Sequence, residues 1–277
     1  MSTNQTDSPS PTSPQPPAIV GLIPARLASS RFPEKVLAST TGKPLIQHVV
    51  ESARRSATLS RIVVATDHPR IEEAVRSFGG ECVMTSADHP NGTSRLAEAA
   101  ERLALGASDI VVNIQGDEPE IDPGVIDAAV ARLIEQRTEV ATVASPFARD
   151  EDAANPNIVK VVLSREGHAL YFSRSLIPYP RNKGGGGGAG DSTNGVSPTQ
   201  PLKHIGLYVY RVSFLRHYVA LPPTPLEQTE FLEQLRVLEH GYRIAVAVRA
   251  VHTQGIDTPE QYEAFARRVS PQRGEGM

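Results

Sequence analysis

The chain is poor in the features that bind nucleic acid, span a membrane or cross-link a fold. Lysine and arginine number 28 against 31 acidic residues, giving a net charge of −3 and a pI near 6.3. No basic run stands out, and binders that neutralise phosphate backbones are usually basic, so no nucleic-acid partner is expected. No apolar stretch approaches the roughly 18 residues of a transmembrane helix, so no membrane insertion is expected. The opening residues lack a cationic start followed by an apolar core, so the sequence predicts no secretory signal and a cytoplasmic protein. The single cysteine, Cys82, excludes an internal disulfide and a cysteine-based zinc site. Within ECVMTS it reads as a small core residue.

The apolar share is also low, 39%, against a norm of roughly 45–50%. Much of the deficit is local. Five prolines fall within 1–17 among Ser, Thr, Asn and Gln, and seven glycines fall within 184–195. Neither segment can bury enough apolar surface to offset its ordering entropy. The expected organisation is a Ser/Pro-rich tail over 1–17, one domain over 18–268 with a flexible Gly-rich loop over 184–199, and a short tail over 269–277.

From Ala18 the chain alternates apolar β-branched runs with amphipathic helical patterns. AIVGLIP, RIVVATD, ECVMTS and DIVVNIQ read as strands. Helices fall between them at 45–56, at 71–79 (opened by Pro69) and at 93–105. This strand–helix repetition predicts an α/β fold with a mostly parallel sheet and helices on both faces. After Pro123 a helix leads into closely spaced strands, EVATVASPF, IVKVVLS, ALYFSR and HIGLYVYR. A helix around 226–240, the strand RIAVAVRAV and a last helix PEQYEAFARRV follow. The second half therefore reads as an inserted, partly antiparallel region that rejoins the main sheet.

Ligands of open parallel sheets bind beyond the carboxyl ends of the strands, which selects four polar segments. The loop after the first strand gathers Arg26, Ser29, Ser30, Arg31 and Lys35, cations and hydroxyls suited to a polyphosphate. Neither a Walker A loop nor GxGxxG is present, so side chains must do this binding. Gln115-Gly116-Asp117-Glu118-Pro119 closes the fourth strand and is either a turn or the site of a Mg²⁺ carboxylate. In Gly255-Ile256-Asp257-Thr258-Pro259-Glu260-Gln261, Thr258 and Gln261 form a capping box with Pro259 at the first helical position. That leaves Asp257 available as a second carboxylate, with capping by Asp257 itself the alternative. The loops around 66–68 and 87–95 are suited to a base or ribose. Their His68 and His89 read as hydrogen-bonded rather than zinc-binding.

The segments IPARLASSRFPEK, NIQGDEP, NPNIVKVV, ALYFSRSLIP, KHIGLYVYR, LEQLRVL and GIDTPE follow one another in the order found in the CMP-sugar synthetases, and the chain resembles that family from Ala18 to Phe265. Within it, the resemblance is to enzymes that join CMP to 3-deoxy-manno-octulosonate (Kdo) for lipopolysaccharide synthesis. It implies a nucleotide-diphospho-sugar transferase-like fold with an inserted sugar-binding and dimerisation region. It further implies CTP and Kdo as substrates, Mg²⁺ as cofactor and a homodimer.

Carried over residue by residue, Arg26 and Lys35 hold the CTP phosphates, Ser29 and Arg31 support that loop, and Asp117 and Asp257 are the metal carboxylates. Gln115, with the 86–92 loop, lies near cytosine or sugar. Arg174, His204, Tyr208, Glu233 and Gln234 are the expected sugar contacts. Phe32, Glu34 and Val36 replace the family's usual Leu, Gly and Pro, Val209 stands where glycine is common, and Gln261 replaces an acidic residue; none of these removes a charged group the chemistry needs. The alternatives are a cytidylyltransferase for another acidic sugar such as neuraminate, a metal-dependent glycosyltransferase and a non-catalytic nucleotide-binding regulator.

Overall fold

The computed structural model describes residues 16–29, 31–181, 200–251 and 255–269. The expected tails and the Gly-rich loop over 184–199 lie outside these residues, as does Ser30, apart from the end of the first tail at 16–17 and the start of the second at Val269. Nine strands form one sheet, with main-path order β3-β2-β1-β4-β8-β5-β9. Strands β1 (Ile19–Ala25), β2 (Arg61–Thr66), β3 (Glu81–Met84) and β4 (Ile110–Asn113) are mutually parallel. Their near-continuous apolar runs suit strands covered on both faces. β8 (Leu202–Arg211) inserts antiparallel between β4 and β5 (Val140–Pro146), and β9 (Ile244–Val248) returns parallel to β5. β6 (Lys160–Leu163) and β7 (Ala169–Ser173) form an antiparallel hairpin leaning on β8. The mostly parallel layer and the partly antiparallel insertion are thus both present.

Helices start where local chemistry satisfies their first amides. His68 caps α2 (Pro69–Ser77) by accepting from the Arg70 amide, and Asn91 caps α3 (Gly92–Arg102) by accepting from the Ser94 amide. Asp122 caps α4 (Pro123–Gln136), with proline at the first position. α1 (Leu45–Ala53), α2 and α4 help to build one apolar layer on the sheet, while α3 and α5 (Val212–Tyr218) help to build the other.

One expectation fails. The helix anticipated around 226–240 is two short helices, α6 (Pro225–Glu230) and α7 (Gln234–Glu239). The chain breaks at Phe231, which adopts the left-handed conformation with φ 53°. Tertiary bonds hold the break open. The Glu230 carboxylate accepts from Ser173 Oγ at 2.6 Å and from the Arg174 amide at 2.9 Å. The following Leu232 is buried.

A small third cluster, Leu45, Ile256, Tyr262 and Phe265, seats α8 (Pro259–Val269) beside α1. It carries the Asp257 segment to the carboxyl edge of the sheet.

Candidate active site

The loops after β1, β3 and β4 and the segment before α8 enclose a cavity of about 490 Å³, lined by Arg26, Ser29, Arg31, Lys35, Gln115, Asp117 and Asp257 among others; the loop after β2, expected near a base or ribose, does not line it. The backbone brings the distant acidic segments together. The Ile256 amide donates to the Asp117 carbonyl at 2.8 Å, and Ile256 itself is anchored in the α8 cluster. Gly116 allows the close approach of the β4 and β1 ends, since a side chain there would meet the Pro24 carbonyl at 3.0 Å.

Lys35 sits at the centre of this junction. Its Nζ donates to Asp117 Oδ2 at 2.6 Å, to the Ile256 carbonyl at 2.9 Å and to Asp257 Oδ1 at 3.1 Å. Arg31 reaches the other oxygen of Asp257 at 3.0 Å. Asp257 is free for this because the capping box forms as expected. Gln261 Oε1 accepts from the Thr258 amide at 3.0 Å and also from the Asp257 amide at 2.7 Å, while Thr258 Oγ1 accepts from the Gln261 amide at 3.4 Å. Arg26 is exposed and has no ion-pair partner among the described residues, so its charge is available to a ligand. Glu118, beside Asp117, has its carboxyl pushed up to about 7, by desolvation first and by the Asp117 charge second.

Two carboxylates converging on one cation position fit a hard dication such as Mg²⁺, which is often held by one or two carboxylates completed by substrate phosphates. Among the described residues no group of three or more His, Cys, Asp or Glu side chains could hold a metal. Asp117 and Asp257 therefore suit an ion that arrives with a polyphosphate, and they do not form an all-protein cage.

The first cavity opens past Gln115 and Glu233 into a second, of about 310 Å³, floored by β4 and β8. His204, Tyr208, Glu233 and Gln234, the expected sugar contacts, line it together. Gln115 is fixed by donation from Nε2 to the Gly206 carbonyl at 3.0 Å. His204 Nε2 lies 3.0 Å from Thr142 Oγ1, and burial pushes the imidazole down to about 3, which keeps it neutral at physiological pH. Desolvation holds the Glu233 carboxyl above its ordinary range, and one of its oxygens accepts from Thr93 Oγ1 at 3.2 Å.

Arg174 is not brought to either cavity wall. Its Nε donates to the Glu230 carbonyl at 2.8 Å and its Nη1 to the Pro156 carbonyl at 3.2 Å. In this structure it braces the break before Phe231, and its partner is Glu230, with no bond to Glu233.

The sequence did not single out Arg95 or Asn113, and it anticipated His89 as a hydrogen-bonded residue. Arg95, 5% exposed, lines the first cavity, donating to Thr85 Oγ1 at 2.6 Å and pairing with Asp67 at 3.3 Å. His89 bridges Glu98 and Ser94 and so pins the 86–92 loop onto α3. Asn113 lines the second cavity. Its position two residues before Gln115 on one strand was the only signal that could have found it.

A parallel sheet with a cationic loop and paired carboxylates at its carboxyl edge, opening onto a neutral polar pocket, is the architecture of a sugar-activating nucleotidyltransferase. The comparisons agree. The family model described as Cytidylyltransferase matches residues 20–244. The 3-deoxy-manno-octulosonate cytidylyltransferase of Syntrophobacter fumaroxidans is 52% identical, the match covering 89% of this chain and 94% of the relative. Its counterpart from Geobacter sulfurreducens is 48% identical, over 91% of this chain and 99% of the relative. A solved CMP:2-keto-3-deoxy-manno-octonic acid synthetase in complex with CTP superimposes with a TM-score of 0.80 at 41% identity, covering 91% of this chain and 98% of that one. The chain belongs to the cytidylyltransferase family, in the branch of the 3-deoxy-manno-octulosonate cytidylyltransferases.

Proposed function

We propose that this protein activates Kdo, converting CTP and Kdo to CMP-Kdo and pyrophosphate. The observation that carries the reading is the junction of the two cavities. One is cationic and holds paired carboxylates; the other lacks lysine and arginine, is aromatic and is rich in hydrogen-bonding groups; Gln115 and Glu233 line both. A triphosphate suits the first and a polyol the second, with their reacting atoms meeting between.

In the reaction, the anomeric 2-hydroxyl of the sugar attacks the α-phosphorus in line. A sugar O–P bond forms as the hydroxyl releases its proton to solvent, the bond between the α-phosphorus and the bridging oxygen breaks, and pyrophosphate leaves. Arg26 and Lys35 bind the phosphates and stabilise the charge that accumulates on the leaving group. Arg31 and Ser29 shape the same loop, and Gln115 orients the partners at the junction. Asp117 and Asp257 would hold Mg²⁺, which when bound neutralises phosphate charge and polarises a coordinated hydroxyl. Holding two substrates in register supplies much of the remaining acceleration.

The protein acts as a homodimer in the cytoplasm, where CTP is available. Support for pairing comes from β7, which is hydrogen-bonded only to β6 in the sheet among the described residues and carries Leu170, 61% exposed. No helix among them is long and apolar enough to cross a membrane.

Incubation with CTP and either Kdo or neuraminate, followed by mass analysis of the products, tests the substrate assignment. CMP-Kdo is expected from the first mixture and no CMP-neuraminate from the second. Equal turnover of the two sugars contradicts the reading. Light scattering on the purified protein tests the dimer, and a monomeric mass contradicts it.

A further inference from the structure

Asn113 ends β4 and stands directly opposite Tyr208 in the antiparallel ladder with β8. Opposed residues of such a pair project to the same face of the sheet. Both line the second cavity. Asn113 is 6% exposed, and neither its Oδ1 nor the Tyr208 hydroxyl, both buried, has a hydrogen-bond partner among the described residues. The neighbour on the other side, Thr142, cannot relieve Tyr208. Its hydroxyl is already engaged with the Leu207 carbonyl at 2.7 Å and with His204 at 3.0 Å. Buried polar atoms in native proteins are nearly always paired, with protein, ordered water or ligand.

We propose that Asn113 is a specificity-determining residue for the sugar, its amide and the Tyr208 hydroxyl forming a donor–acceptor floor for one or two hydroxyls remote from the reacting carbon. This rests on the functional reading above and names a residue and a role within it. Three observations fix the role. An amide and a phenol each donate and accept, and so does a sugar hydroxyl. No lysine or arginine lines the second cavity, so its floor reads neutral hydroxyls, and the sugar carboxylate faces the cationic side. Gln115 borders both cavities whereas Asn113 and Tyr208 border only the second, which places them at the end away from the phosphates.

The test uses the full chain and its Asn113→Leu and Tyr208→Phe variants. Initial rates of pyrophosphate release are measured against CTP, against Kdo and against Kdo analogues each lacking one hydroxyl. Loss of one buried hydrogen bond corresponds to about ten-fold in sugar KM, and the CTP KM should hold within about two-fold. Wild-type enzyme should discriminate against one or two of the deoxy analogues, and Asn113→Leu should lose that discrimination. Tyr208→Phe removes only an unpartnered hydroxyl, so it should melt no lower than wild type and still raise the sugar KM. A lowered melting temperature with an unchanged sugar KM overturns the proposal, because a purely structural role predicts that pattern. Failure of wild type to turn over Kdo at all overturns the functional reading itself. Turnover with unaltered sugar KM in both variants overturns only the assignment of Asn113.

Discussion

Lys35 Nζ lies 2.6 Å from Asp117 Oδ2, and it shares its remaining reach with Asp257 at 3.1 Å. The ammonium therefore stands where both candidate metal carboxylates converge, so in the proposed reaction Lys35 and a dication would compete for the same oxygens until a polyphosphate drew the lysine away. Lys35→Met should bind Mg²⁺ more tightly than wild type without nucleotide, by calorimetry, yet turn over at least about a hundred-fold more slowly. Weaker Mg²⁺ binding by the variant would contradict this competition.

Asp117→Asn keeps the size of the side chain and its ability to accept from Lys35. It should fold normally, melting within a few degrees of wild type, and lose at least about a thousand-fold in turnover, in line with removal of a central electrostatic group. Near-normal pyrophosphate release by this variant removes Asp117 from the metal site.

The 86–92 loop carries a pH dependence of its own. Burial of Glu98 pulls its pKa upward, but the Ser86 amide, His89 and Arg102 together outweigh that and leave it at about 2, below the ordinary 4.5. A depressed carboxylate pKa stabilises the fold above the ordinary value, and that contribution is lost as pH falls through the folded one. Glu98→Gln should cost roughly 2–3 kcal/mol at neutral pH. The gap between the variant and wild type in urea melts should close between pH 4.5 and 2. A gap that is constant with pH contradicts the assignment.

Glu230→Ala tests the brace before Phe231. Removing the acceptor of Ser173 and of the Arg174 amide should lower stability by roughly 1–3 kcal/mol. It should also raise the KM for Kdo, because Glu233 and Gln234 follow directly on the freed segment. An unchanged sugar KM together with lowered stability restricts Glu230 to the fold.

The four parallel strands and their intervening helices were legible because each is local: a β-branched apolar run, then an amphipathic repeat, capped by a side chain in α2 and α3. Asp257 was legible for the same reason, since the Thr258–Gln261 box announces which residue does not cap the helix. The break between α6 and α7 was not. The stretch 226–240 reads as one helix, and the bonds from Ser173 and Arg174 to Glu230 hold the chain where it breaks at Phe231. Arg174 illustrates the same limit. Its charge suggested an anionic ligand, while its partners here are two backbone carbonyls distant in sequence. Asn113 looked like one more polar residue ending an apolar strand. Its significance depends on the antiparallel register that sets it opposite Tyr208, which is a non-local property.

The central claim is that two cavities meeting at Gln115 and Glu233 bring CTP and Kdo together. Pyrophosphate release followed continuously, with CTP, Kdo and Mg²⁺ each omitted in turn, tests it most directly. The account predicts release only when all three are present, in equal amount with CMP-Kdo. Release from CTP without the sugar, or none in the complete mixture, would contradict it.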